Sequence, residues 1–297
     1  MILGRVTQGT FFRQLTANVT RLQRQIADAQ TQVSSQKKLQ DASDDPAGAA
    51  EANRLHAQTR ALAAVKQGIG FGTAILSAED SALEQTESIL TRAGEIASQT
   101  SSGLTTSEAR QQASAEVAQL ERSLLTLANT SVAGRYVFGG LATGTQPFAN
   151  LDDPGFDPST AYSGPTDPFT LPIGAGQTVA LTTPGDQVFG AAITALDQMR
   201  QTLATGAAPT TSIDAVANAA ESIRQERTNV GGSLTRLQDR SDQIVNLTDG
   251  AHKLLSGIED VDVTTAISQF VQLQAALQAT LAVGSKLHTS LLDYLQL

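Results

Sequence analysis

The sequence has no cysteine and no tryptophan, and its aromatic residues amount to only 4%. Without cysteine there are neither disulfides nor thiolate metal sites, a composition that suits an extracellular polymer. Charged residues are also sparse at 16%, and Ala, Gln, Thr and Ser fill positions that Leu and Phe would take in a thick core. Thin helical elements packing small side chains fit this better than a compact enzyme does. The three histidines, His56, His252 and His288, lie far apart and form no H-x-x-x-H pair, so they read as helix-surface residues rather than ligands. No run approaches the ~20 apolar residues of a membrane span. No apolar h-region follows Met1, so export is expected to proceed without a classical cleaved signal. The net charge of −9 argues against a general nucleic-acid binder.

The charge is unevenly spread. Residues 1–40 carry Arg5, Arg13, Arg21, Arg24, Lys37 and Lys38 against the single acid Asp28, while residues 141–190 hold five Asp and no Lys or Arg. No aromatic residues interleave with the N-terminal arginines, so this basic stretch reads as a solvated helix face or a docking surface for other copies of the chain. Proline is as unevenly placed: seven of the nine lie between Pro147 and Pro184. A proline inside a helix costs about 3 kcal/mol or more. Residues 47–146 and 210–297 are therefore free to be helical, and 147–184 is not.

Both ends of the chain carry an apolar heptad. Phe12, Leu15, Val19, Leu22, Ile26, Ala29 and Val33 recur in steps of three and four near the start. Ile267, Phe270, Leu277, Leu281, Leu291 and Leu295 keep the same rhythm near the end, with Gln274, Gly284 and His288 between them. Such steps place one stripe on a helix with the period a coiled coil needs. The two ends are expected to pair with each other. Each stripe is too thin to offset the ordering of its own backbone, so both termini are expected to be disordered in the monomer and to fold on incorporation, when neighbouring subunits cover them.

Between the ends, Asp44-Asp45-Pro46 reads as a helix start, with Asp45 as N-cap and Pro46 in the first turn. A heptad frame from Leu55 to Leu90 then carries one helix to about Ser98, with Gly68, Gly70 and Gly72 inside it as points of close approach or bending. Thr105 and Glu108 have capping-box spacing and open a third helix. Arg135-Tyr136-Val137-Phe138 is a short strand-like run, alternation around Val179 and Leu181 reads as a strand, and Pro184-Gly185 as a turn. Two helices follow, one around Ile193 to Leu203 and a long one from Ile213 towards Leu247, and Asp262 caps the last. The expected fold is mainly α with a small β-rich insert: a long antiparallel helical rod whose terminal helices form a coiled coil. The expected domains are a terminal region (1–45 and 260–297), a helical rod (46–140 and 191–259) and a β-rich outer insert (141–190).

Nothing in the chain specifies an active site. Asp152, Asp153 and Asp157 lack the D-x-[DN]-x-[DN]-G loop of a calcium site. Gly139-Gly140 and Gly231-Gly232 lack the context of phosphate loops, and no Ser or Thr sits in a G-x-S-x-G elbow. No catalytic residue, cofactor or metal is expected.

Four stretches, taken in order, resemble the flagellin-like axial proteins of the bacterial flagellum. Ser34-Ser35-Gln36-Lys37-Lys38-Leu39 running into Ser43-Asp44-Asp45-Pro46-Ala47-Gly48 is similar to that family's S-S-G-K-R-I…S-D-D-P-A-G. Ile89-Leu90-Thr91-Arg92-Ala93-Gly94-Glu95-Ile96-Ala97 is similar to its L-x-R-x-x-E-L-A segment. Ser256 to Asp262 and Gln274 to Ala279 are similar to C-terminal stretches. Two departures are Gln36 in place of Gly, which would let the first helix continue, and Ala42 in place of Asn or Pro. Within the family, Leu127-Ala128-Asn129 followed by Gly134-Arg135-Tyr136-Val137-Phe138-Gly139-Gly140, and the ending Ser290 to Leu295, resemble the hook–filament junction branch more than filament flagellins. The resemblance implies a non-catalytic extracellular part of the flagellum that assembles as a ring of identical copies between a neighbouring hook-associated protein and flagellin. It also implies export through the flagellar type III channel and a cytoplasmic export chaperone on the C-terminal helix, with no nucleic-acid or membrane partner. A short filament flagellin and, from a different class, a cytoplasmic coiled-coil scaffold are the alternatives.

Overall fold

The computed structural model describes residues 8–149, 152, 156–174 and 176–295, with the side chains of 8, 9, 11 and 286–295 outside that set. Its elements are α1 (Gln8–Ser35), α2 (Pro46–Thr100), α3 (Ser107–Ala128), the strands β1 (Ser131–Val132), β2 (Arg135–Tyr136), β3 (Thr170–Gly174) and β4 (Gln177–Ala180), then α4 (Gly185–Ala204), α5 (Thr210–Glu259) and α6 (Val263–Leu295). The class is the expected one, mainly α with a small strand insert. By packing the chain divides into two units, Met1–Arg60 with Leu247–Leu297 and Ala61–Asn246, so the terminal unit reaches further along α2 and α5 than 1–45 and 260–297.

The unit of residues 61–246 holds the main core. The α2 residues Ile69, Leu76, Leu83 and Leu90 pack with Val117 and Leu124 of α3, Phe189, Ile193 and Leu196 of α4, and Val216, Ile223 and Leu237 of α5. Phe148, Ala161, Val179 and Leu181 of the insert join the same cluster, so the insert is a cover on the helices and not a lobe with its own core. The hairpin β3–β4 is antiparallel with Leu171 opposite Val179. It lies over Gly72, where an added Cβ would stand 2.8 Å from a Leu181 methyl and 3.2 Å from those of Leu171 and Leu237. That contact gives the glycine-rich stretch of α2 its purpose at Gly68 and Gly72, while Gly70 faces open space. Among the described residues α2 is the one helix long and apolar enough to cross a membrane by length and composition. Its leucines and isoleucines are instead the spine of this core.

Buried charge knits α3 to α4. Arg200 Nε donates to Glu121 at 2.9 Å, its Nη2 reaches Asp197, and the Ser114 hydroxyl donates to the Arg200 carbonyl at 3.0 Å. Glu121 is fully buried and its pKa rises to about 7, because burial outweighs the attraction of Arg200. Glu79 of α2 is buried without a hydrogen-bonded partner on either carboxyl oxygen. Burial pushes its pKa up to about 8. The hydroxyl and N–H of Thr183 lie near enough to pull against that rise, but the hydroxyl is aimed at Glu226 of α5, to which it donates at 2.7 Å.

Several local expectations change in the structure. The N-cap of α3 is Thr106, whose side chain accepts from Ala109 N–H at 3.2 Å. Thr105 instead donates its hydroxyl to the Gln99 carbonyl at 3.0 Å, satisfying one of the last carbonyls of α2. Pro184 is the residue before α4, and Gly185 begins the helix where a turn was expected. An added Cβ at Gly185 would collide with the Phe148 ring, so packing against the insert selects glycine there.

The first helix does not continue through Gln36. It ends at Ser35, and Gln36 takes φ +58°. That is the left-handed region, which costs a side-chain-bearing residue about 1–2 kcal/mol and which glycine enters freely. Gln36→Gly should therefore stabilise the α1–α2 connection by roughly 0.5–1 kcal/mol, after allowing for the freer unfolded chain. Slower hydrogen exchange at the backbone amides of residues 37–39 would register the gain; faster exchange would contradict it.

Candidate assembly interface

The terminal unit is thin. Its small cluster of fully buried residues is Ala52 and Leu55 of α2 with Ala251 and Leu255 of α5. Beyond that cluster, α1 runs antiparallel along α6, joined at one end by the isolated bridge between Lys37 and Asp260. Asp262 caps α6, its Oδ1 accepting from Thr264 N–H at 2.9 Å and Thr265 N–H at 3.3 Å.

Along α1 the less exposed apolar positions are Leu15, Val19, Leu22, Ile26, Ala29 and Val33, one stripe in steps of three and four with Asn18 and Gln32 half-buried beside it; Ala29 is buried and Phe12 is 38% exposed. On α6 the less exposed positions are Ala266, Phe270, Leu273, Leu277, Thr280 and Gly284. Phe270 and Leu277 thus belong to the seam, but Ile267 and Leu281 do not: they are 46% and 53% exposed. Phe270, Leu277 and Gly284 keep their expected places, while Ile267, Gln274 and Leu281 are exposed and the preceding residues Ala266, Leu273 and Thr280 turn inward instead. At Gly284 an added Cβ would stand 2.8 Å from a methyl of Leu15, so this glycine makes room for the Leu15 side chain. Leu291 and Leu295 have side chains outside the described residues.

The seam leaves two features of α6 on the outside. It presents a second apolar row, Val263, Ile267, Val271 and Leu281, to solvent, with Val283 exposed on another side. Residues 263–285 also contain no charged side chain at all. A solvated helix normally carries charges on its outer face. An open surface groove of about 380 Å³ runs along one flank of the seam, lined by Leu15, Asn18, Ala279 and Val283. The outer side of α1 is lined differently, with Arg13 and Arg24 flanking Thr16, Ala17 and Thr20.

The motif residues are structural. Asp45 Oδ1 accepts from Gly48 N–H at 2.9 Å over the first turn of α2, and a Cβ at Gly48 would collide with the carboxylate, so the D-P-A-G order is one cap. Asp44 closes the preceding turn by accepting from Asp41 N–H at 3.1 Å. Gly134 forms the tip of the hairpin β1–β2 with Ala133, both at positive φ, as a two-residue turn between paired strands requires. Arg135 stands 5.5 Å over the Phe71 ring of α2. The Tyr136 N–H donates to the Thr143 carbonyl at 2.7 Å. Phe138 is fully buried edge-on to Phe189 of α4, with ring centroids 4.6 Å apart. Gly140 has φ +56° and would bring a Cβ to 2.5 Å from the Pro165 carbonyl; Gly139 would meet the Ala142 carbonyl at 3.0 Å. Asn129 mimics a peptide group against Phe148, accepting from its N–H at 3.1 Å and donating to its carbonyl at 3.2 Å. The run from Asn129 to Gly140 is the tie that seats the insert on the helices. Among the described residues no cluster of three metal-ligating side chains occurs.

Residues 11–143 match the bacterial flagellin N-terminal helical region, and residues 213–295 match the C-terminal helical region. The chain is 25% identical to a flagellin of Listeria monocytogenes across 88% of each sequence. It is 24% identical to flagellar hook-associated protein 3 of Escherichia coli across 91% of this chain and 92% of that one. In fold it is similar to a hook-associated protein 3 structure from Legionella pneumophila, with a TM-score of 0.61 and 14% identity over 69% of this chain and 98% of that one. It is also similar to the Bacillus cereus FlgL structure, at 0.57 and 20% over 67% and 99%.

Proposed function

We propose that this chain, which belongs to the bacterial flagellin family, is the non-catalytic structural piece that joins the flagellar hook to the flagellin filament. The observation that carries the reading is the terminal unit: two helices matching the family at both ends of the chain, and an exposed apolar row on the uncharged stretch 263–285 of α6. A helix of this kind is stable only against further apolar surface, and identical neighbours in a ring supply it. Phe12, Leu15, Val19, Leu22, Ile26, Val33, Phe270 and Leu277 then hold the pair together, while Ile267 and Leu281 face the next subunit. Before export the same face of α6 is what a cytoplasmic chaperone would cover. The family's members are parts of the extracellular flagellum.

The junction reading is favoured over a filament-forming flagellin by the Asn129–Gly140 tie and the Ser290–Leu295 ending, which resemble the junction branch. Because the chain has no cysteine, a single Gly103→Cys, at an exposed position with open space around its Cβ, gives one labelling site. Maleimide dye on cells expressing this variant should mark one spot at the distal end of each hook. Label along the whole filament would make the chain a flagellin instead, and label confined to the cytoplasm would make it a scaffold.

A further inference from the structure

Where the terminal helices leave the rest of their unit, three segments meet at one carboxylate. Glu259 closes α5, and its side chain is only 13% exposed. One of its oxygens takes the Lys37 ammonium at 2.5 Å, from just beyond α1, and the other meets His56 Nε2 of α2 at 2.7 Å. Backbone bonds reinforce the junction: Lys38 N–H donates to the Glu259 carbonyl at 2.7 Å, and Val261 N–H donates to the Gln36 carbonyl at 3.0 Å. Lys38 Nζ donates to the Gly257 carbonyl at 2.9 Å. The strained conformation of Gln36 lies within this bridge, so the geometry is held by its surroundings.

We infer that Glu259 is a positioning residue for assembly: by strapping Lys37 and His56 to the end of α5, it fixes the direction in which α1 and α6 leave α2 and α5. The inference rests on the proposal that the terminal helices mediate assembly. Its physical content is that two lone backbone bonds make a hinge, whereas a nearly buried carboxylate with a different segment on each oxygen makes a brace. Lys37 is the main cause that holds Glu259 below the usual carboxylate range, with His56 adding to it against the opposing effect of burial, so the carboxylate stays ionised at neutral pH.

Hydrogen exchange on the purified full chain reads the brace directly. In Glu259→Ala the Lys38 and Val261 amides should exchange at least tenfold faster, with the amides of Leu83 and Leu196 unchanged. Glu259→Gln, which keeps an acceptor for Lys37 and a polar group for His56, should restore most of the protection. The Ala variant should also be secreted yet fail to cap hooks, and the Gln variant should cap them. Absence of protection at Lys38 and Val261 in the wild type, or unchanged exchange in Glu259→Ala, overturns the brace. Faster exchange with normal capping also overturns its positioning role. The labelling experiment with Gly103→Cys judges the junction reading separately, so failure of one is distinguishable from failure of the other.

Discussion

Leu22→Asp abolishes filament growth on the hook and leaves residues 61–246 folded. Leu22 sits half-buried in the α1 stripe that faces α6, remote in sequence and in packing from the core of Leu83, Leu124 and Leu196. A carboxylate in that seam must stay hydrated or lose its charge, and either outcome costs about 2–5 kcal/mol in a unit with little to spare. Thermal unfolding of the purified variant should retain the wild-type main transition, while motility in soft agar and filaments by electron microscopy fall to none. Leu277→Asp should behave in the same way. The structure makes Leu281→Asp a different experiment. Leu281 is 53% exposed and off the seam, so a carboxylate in its place would leave the α1–α6 pair intact. A block in assembly there reports on the contact with a neighbouring subunit. Gln23→Asp, at an exposed position of the same helix, is the control and should swim normally. Normal filaments in Leu22→Asp would remove the terminal seam from the assembly mechanism.

The second large effect is a stability that falls as pH rises. The folded pKa of Glu79 is about 8, well above the ordinary carboxylate value it recovers on unfolding. Below that ordinary value the group is protonated in both states and contributes nothing. Between the two values the unfolded chain has released the proton and the folded chain has not, so stability drops with each pH step and levels off above about 8. Glu121, raised to about 7, adds a loss of the same sign over a narrower window. Glu226 of α5 raises the Glu79 value further, while Thr183 opposes it. The Glu79 contribution is roughly 3–5 kcal/mol. It corresponds to a melting temperature lower by on the order of 10 °C at pH 9 than at pH 5 for the unit of residues 61–246. Glu79→Gln cannot ionise and should flatten most of that slope, with Glu121 responsible for the remainder. Melting curves of both proteins from pH 5 to pH 9 decide it, and parallel slopes would show that Glu79 is hydrated in solution.

Much of the architecture is legible in the sequence because it depends on local rules. Asp45-Pro46 and Asp262 are caps in the structure as in the sequence, since a short acidic side chain before a helix satisfies the same amides in any context. The proline distribution places the insert, because a missing N–H forbids a helix interior whatever the tertiary environment. The choice between Thr105 and Thr106 is not legible, since both can cap and only the position of the Gln99 carbonyl assigns them. Gln36 differs from its expectation for a related reason. Its side chain favours helix, and the left-handed turn is imposed by backbone bonds that tie residues 36 and 38 to Val261 and Glu259, more than 200 residues away.

The sequence by itself determined the class, the helix boundaries near caps and prolines, and the apolar period of both ends. Only the tertiary structure decided which apolar residues face inward. Ile267 and Leu281 satisfy the heptad as well as Ala266 and Thr280 do by position, and better by hydrophobicity. The inward frame nevertheless takes Ala266, Leu273 and Thr280, each one residue earlier than the expected position, around Phe270, Leu277 and Gly284, which both frames share. Hydrophobic periodicity gives a stripe its spacing; steric fit against the particular partner helix sets its phase. Residues left outside by that fit, on a stretch of helix from 263 to 285 with no charge to keep it in water, are the ones that most need a neighbour.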